Sequence, residues 1–167
     1  MVVAQAENPS AVGQFVTATV SFLNADGGII ATKQQVEQFS WEDQEIALPV
    51  FLFPEGDSEI PHVSDIDASV AVSAYSSSEP AQAELPQLDA VSIGAKNQGT
   101  LATFEFTNNN ELLDGLRVGA VCHDAAGEII GGGSAYPNAI APNSKVRFDV
   151  DMYQQTVADT CKAYLNY

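Results

Sequence analysis

One stretch occurs twice in this chain, and nothing else in the sequence constrains the fold as much. Leu116-Arg-Val-Gly-Ala-Val-Cys-His-Asp-Ala-Ala-Gly-Glu-Ile-Ile130 follows, one hundred positions on, the pattern of Val16-Thr-Ala-Thr-Val-Ser-Phe-Leu-Asn-Ala-Asp-Gly-Gly-Ile-Ile30. Each reads as an alternating strand, an Asx-Ala-x-Gly turn and the start of a return strand. Asn or Asp can bond its own backbone two residues on, and Gly accepts the positive φ that the turn needs. A β-hairpin signal given twice predicts two copies of one β-domain, although 167 residues would ordinarily suggest one.

The hundred-residue offset continues. Val16, Ala18, Val20 and Phe22 form one inward row, and Ile46, Leu48, Val50 and Leu52 match Val146, Phe148, Val150 and Met152 as another. The opening strand 2–7 corresponds to 102–107, and Gly131-Gly-Gly133 reads as a bulge or bend. The closing strands, Asp67 to Tyr75 and Asp159 to Tyr167, allow two registers. One superposes both Asp and both Tyr residues; the other pairs Val70 with Cys161. Residues 76–87, polar and holding two prolines, read as a linker between a first domain at 1–75 and a second at 88–167. Leu88 to Gly94 adds a strand to the second domain. The first has no counterpart, either because it was removed or because that copy never had one, and a missing strand leaves an open edge. Met1 reads as the start of a mature or excised segment, with no signal peptide following it.

Composition matters mainly for what it excludes. A formal charge of −16 with six Lys and Arg argues against nucleic acid, whose phosphates need cations, and against an anionic membrane surface. The acidity is lopsided: thirteen Asp and Glu face Lys33 alone up to Gln87, and nine face five cations beyond it. Solubility is the plain reading of such a surface. No window is long and apolar enough for a membrane-spanning helix. The two cysteines, Cys122 and Cys161, both lie in the second copy and lack a zinc-site spacing. A disulfide stapling that core, worth a few kcal/mol and placing the protein outside a reducing cytoplasm, is predicted; two free buried thiols are the alternative.

Val118 to Asp124, Ala125 to Gly127, Ile129-Ile130, and Ile140-Ala-Pro142 leading to Phe148 give the second half a family likeness. It resembles the FxLYD-type domains of bacterial envelope proteins. The eponymous aromatic and Tyr positions hold Ala120 and His123 here, and Val20 and Leu23 in the first copy. The resemblance covers about sixty residues of each half. It implies an all-β fold of two tandem immunoglobulin-like antiparallel β-sandwiches, secreted or tethered outside a Gram-positive cell, with no catalytic residues to carry over.

The copies differ most informatively in one outward row. Where the second copy has Arg147, Asp149, Asp151 and Tyr153, the first has Ala47, Pro49, Phe51 and Phe53. A strand apolar on both faces must be covered, by the second domain, by the 57–67 loop or by a partner. Pro49 cannot donate to a ladder, which puts it at an edge or bulge. Trp41, the only tryptophan, lies just upstream and is a common interface anchor or a core residue. Glu55, Asp57, Glu59, Asp65 and Asp67 would offer hard oxygens to Ca²⁺, but the loop lacks the D-x-[DN]-x-[DN]-G pattern and reads as solvated. His62 and His123 stand alone, and no nucleophile elbow or phosphate loop occurs.

These observations predict a non-catalytic extracellular protein-interaction module without metal or cofactor. Its partner, or a second copy, would be met through Trp41, Ala47, Pro49, Phe51 and Phe53. A passive spacer is the first alternative; an enzyme-accessory or Ca²⁺-binding adhesion module is the second.

Overall fold

The computed structural model describes residues 2–5, 11–53, 62–77, 82–96, 99–153 and 158–167. It is nearly all β, 60% strand and 1% helix. The strands are β1 (Val2–Gln5), β2 (Gln14–Leu23), β3 (Ile29–Gln38), β4 (Glu45–Leu48), β5 (Asp65–Ser76), β6 (Leu88–Asp89), β7 (Ser92–Lys96), β8 (Gly99–Thr107), β9 (Arg117–His123), β10 (Ile129–Ala135), β11 (Lys145–Met152) and β12 (Thr160–Asn166). All pairings between them are antiparallel.

The hairpin recurs atom for atom. Asn24 Oδ1 accepts the N–H groups of Asp26 and Gly28 at 3.0 and 2.7 Å, and Asp124 Oδ1 accepts those of Ala126 and Glu128 at 2.9 Å each. Gly27 and Gly127 sit at φ of 78° and 85°, where a side chain would be strained. The same bulge follows each turn: Leu23 opposes Ile29 and Phe22 opposes Ala31, as His123 opposes Ile129 and Cys122 opposes Gly131. Ahead of β4 and β11, Asp43 and Asn143 take nearly equal positive φ, 58° and 56°.

The pairing pattern is also shared. The order β3-β2-β5 parallels β10-β9-β12, and the β1-β4 ribbon parallels β8-β11. The second half adds β6, hydrogen-bonded to β12, and β7, hydrogen-bonded to β8. The added strand of the sequence reading is therefore split, and it crosses from one sheet to the other.

The closing strand follows neither anticipated register. Ile66 lies opposite Phe22, Ala68 opposite Val20 and Val70 opposite Ala18, where β12 sets Cys161 opposite Cys122, Ala163 opposite Ala120 and Leu165 opposite Val118. Ile66, not Val70, thus takes the place of Cys161. Strand β5 begins at the equivalent place, Asp65 opposite Leu23 as Thr160 is opposite His123, but runs on to Ser76, so aligning the final aromatics misplaced it.

The layers run sheet, ribbon, sheet, sheet. Sheets β10-β9-β12-β6 and β11-β8-β7 enclose the larger core, around Phe104, Phe106, Val118, Ala120, Val150, Met152 and Leu165. Ala11, Val16, Ala18, Phe39, Ile46 and Leu48 form a smaller core in the first half. A third cluster of Ala47, Val121 and Tyr164 joins them. Strand β4 is the shared layer: Ile46 and Leu48 face β2, while Ala47 faces the outside of β9 and β12. This explains why β9 is buried on both faces, Val118 and Ala120 inward and Val121 under the ribbon. A Cβ on Gly119 would lie 2.6 Å from the Ala47 carbonyl oxygen, so only glycine admits the ribbon there.

Cys122 and Cys161 form a disulfide across the β9–β12 pair, inside the larger core. With a sequence separation of 39, the closed loop should stabilise the fold by about 4 kcal/mol through lost unfolded-state entropy.

Candidate binding surface

The apolar row of the first half divides when its surroundings are known. Strand β4 stops at Leu48, because Pro49 has no N–H to extend the ladder, whereas β11 continues to Met152. Ala47 and Pro49 are buried. Trp41 is buried too, packed into the core of the second half and edge-on to Tyr167 at 6.1 Å. Trp41 and Ala47 therefore join the halves, and none of the three presents an open surface.

The remaining two reach solvent beside a residue from the other half. Phe51 is half-buried and Phe53 is 58% exposed. Tyr153, 55% exposed, follows β11 and is fixed by its N–H donating to the Gly132 carbonyl at 3.1 Å. The rings touch as a trio: Phe51 to Tyr153 at 5.3 Å and 70°, Phe53 to Tyr153 at 6.3 Å and 86°, and Phe51 to Phe53 at 5.7 Å and 30°. Edge-to-face rings at these spacings attract beyond the area they bury. The sequence reading placed Tyr153 on a solvated face. Its one clue was positional, since Tyr153 is the hundred-residue counterpart of Phe53, and the fold sets the two counterparts against each other.

The seam between the halves is polar at its centre. Gln44 Oε1 accepts the Ser40 N–H at 2.6 Å, and Gln44 Nε2 donates to Asn166 Oδ1 at 2.9 Å. Asn166 Nδ2 donates to Glu37 Oε2 at 3.1 Å, and Glu37 pairs with Arg117. Burial pushes the Arg117 guanidinium below the ordinary arginine range, a shift opposed by Tyr136, whose ring centroid lies 6.0 Å away. Arg117 Nε is buried with no hydrogen-bond partner. Breaking such a network by removing one member leaves a charge without compensation. Residues 82–87, the described part of the 76–87 linker that lies before β6, touch both halves: the Gln82 N–H donates to the Ser40 carbonyl at 2.8 Å, Gln87 Nε2 to Glu45 Oε2 at 2.6 Å, and Leu85 joins the larger core.

Other candidates are quickly placed. Glu55, Asp57 and Glu59 lie outside the described residues, while Asp65 and Asp67 are exposed on β5. Among the described residues no group of three His, Cys, Asp or Glu is placed to hold a metal ion. His62 is exposed and His123 half-buried. An open groove of about 670 Å³ lies between Gln82, Asn109, Glu111, Leu112, Asn143 and Tyr167, with Glu111 its single carboxylate. Among the described residues no helix is long and apolar enough to cross a membrane. The disulfide is compatible with an extracellular location.

The chain matches no family model, no curated protein and no solved structure.

Proposed function

We propose that this chain is a non-catalytic, extracellular protein-interaction module of a bacterial envelope or secreted protein. We read it as two tandem immunoglobulin-like units of the FxLYD type on the outer face of a Gram-positive cell. The recurring Asx-Ala-x-Gly hairpin and its bulge support the two-unit reading.

The observation that carries the interaction is the trio Phe51, Phe53 and Tyr153, two of whose rings are more than half exposed. Clustered exposed aromatics, held rigid by one another, lose little freedom on binding and bury much area. The protein partner, or a second copy of this chain, would cover them. Phe53→Glu and Tyr153→Glu should abolish a pull-down of the partner, or a dimer in sedimentation velocity, with the thermal midpoint kept. Unchanged association in both variants would refute this reading.

A spacer role has its own support in the seam. Trp41, Ala47 and the Gln44–Asn166–Glu37–Arg117 network hold the halves against each other, as a stiff stalk requires. On that reading the trio variants change nothing.

A further inference from the structure

The inner face of the first sheet is only half covered. On β2, Val16, Ala18, Val20 and Phe22 are all buried, Val16 and Ala18 against Ile46 and Leu48 of the ribbon. Their cross-strand partners on β5 share that face: Val72, Val70, Ala68 and Ile66. Yet Ile66 is 55%, Val70 44% and Val72 50% exposed. Strand β5 is also an edge, hydrogen-bonded among the described strands to β2 alone. An uncovered apolar row beside unpaired backbone groups is an acceptor for another strand.

The second half displays the occupant. There the equivalent edge, β12, is paired by β6, Leu88 opposite Ala163 and Asp89 opposite Lys162. The segment continues with the Ala90 N–H donating to the Cys161 carbonyl at 2.9 Å, then crosses to pair with β8. Leu88, Ala90 and Ile93 lie against the core, and Ala163 and Cys161, the counterparts of Ala68 and Ile66 along which the segment runs, are 0% and 2% exposed. The same register specifies charge. Asp67 stands in the first half where Lys162 stands in the second, so an incoming strand meets a carboxylate where β6 meets an ammonium.

We propose that β5 receives a donor strand: an extended peptide segment with apolar residues two apart, as Leu88 and Ala90 are, and a Lys or Arg opposite Asp67. Backbone bonds to the β5 edge would hold it, and its apolar side chains would cover Ile66, Ala68 and Val70. This surface is separate from the aromatic trio, so the two can fail independently.

The test uses the full chain and two labelled synthetic peptides in fluorescence anisotropy. One has the sequence of residues 85–96, the other the same sequence with Asp89→Lys. Both should bind saturably where a scrambled peptide does not. The Asp89→Lys peptide should bind about fivefold tighter, the size of a cross-strand charge pair. Val70→Asp, on the apolar row, should weaken binding by at least about tenfold, since it sets a charge in the strand's path. Ser69→Asp, on the opposite face of β5, should leave it within about threefold. Both substituted side chains lie on the exposed strand, so folding is checked by an unchanged circular dichroism spectrum. No saturable binding, equal loss in both variants, or tighter binding by the unsubstituted peptide would overturn the proposal. So would self-association that Val70→Asp abolishes without any peptide binding.

Discussion

The two halves start from one hairpin and finish differently. In the second, the row Cys161, Ala163 and Leu165 is buried, paired by β6 and joined to β9 by a disulfide. In the first, the corresponding row Ile66, Ala68 and Val70 is exposed and has no edge partner among the described strands, and Ile66 lies opposite Phe22 where the other half has a cysteine. The hairpin is set by local chemistry, an Asx side chain and a glycine, and needs no help from its surroundings. Closure needs an extra strand. What separates the halves is therefore the nine residues from Leu88 to Lys96, present in one and without a described counterpart in the other.

Four measurements would break or sharpen that contrast. The largest effect is expected from Cys122→Ala with Cys161→Ala, which should cost about 4 kcal/mol in denaturant unfolding. Loss of hydrogen-exchange protection should be concentrated in β9 and β12. A matching loss in β2 and β5 would mean that the halves unfold as one unit. Next, equivalent truncations should diverge: Leu165→Ala should cost about 3 kcal/mol by leaving a cavity, and Val70→Ala about 0.5 kcal/mol. Equal costs would show that the row on β5 is covered in solution.

A smaller effect is expected at alkaline pH. Tyr164 is raised above its ordinary value of 10.0, first by burial and then by Glu45, and Tyr167 is raised by burial. A raised folded pKa favours the protonated fold. Stability is therefore whole below about pH 10 and falls as pH climbs through the folded values. Tyr164→Phe should flatten the alkaline limb of a stability–pH curve; an unchanged limb would contradict the burial of Tyr164 at the seam. The smallest effect should come from salt. Raising NaCl from about 0.1 M to about 1 M screens like charges. Exchange protection should rise more in β2 and β3 than in β9 and β10, since the first 87 residues set thirteen acidic groups against Lys33.

Much of this was legible in the chain. The hairpins, the inward rows and the strand β11 follow from alternation and glycine position. The cysteine pair was legible because only two cysteines exist and Cys122 lies on an apolar face. The double-faced strand at Ile46 to Leu48 was visible as a row needing cover, but which surface covered it was not: Ala47 meets Val121 and Tyr164, more than seventy positions away. Trp41 was ambiguous for the same reason, since its partners Tyr167 and Leu85 are distant in sequence. The register of β5 was missed because an aromatic at the end of each half looked equivalent. Tyr75 is exposed, while Tyr167 packs on Trp41. The seam network rests on Glu37, Gln44, Arg117 and Asn166, ordinary polar residues with no pattern to mark them.

The ribbon in the middle has a bearing on any attempt to dissect the molecule. Severing the polypeptide at 76–87 would leave the C-terminal fragment with a vacant slot where the indole of Trp41 sat, and with Val121 and Tyr164 newly wet. Gly119, small so that a neighbour's backbone can lie against it, would then be a bare notch. The fragment most complete by sequence would thus be the one that loses solubility when isolated, because its outer wall is on loan from the other end of the chain.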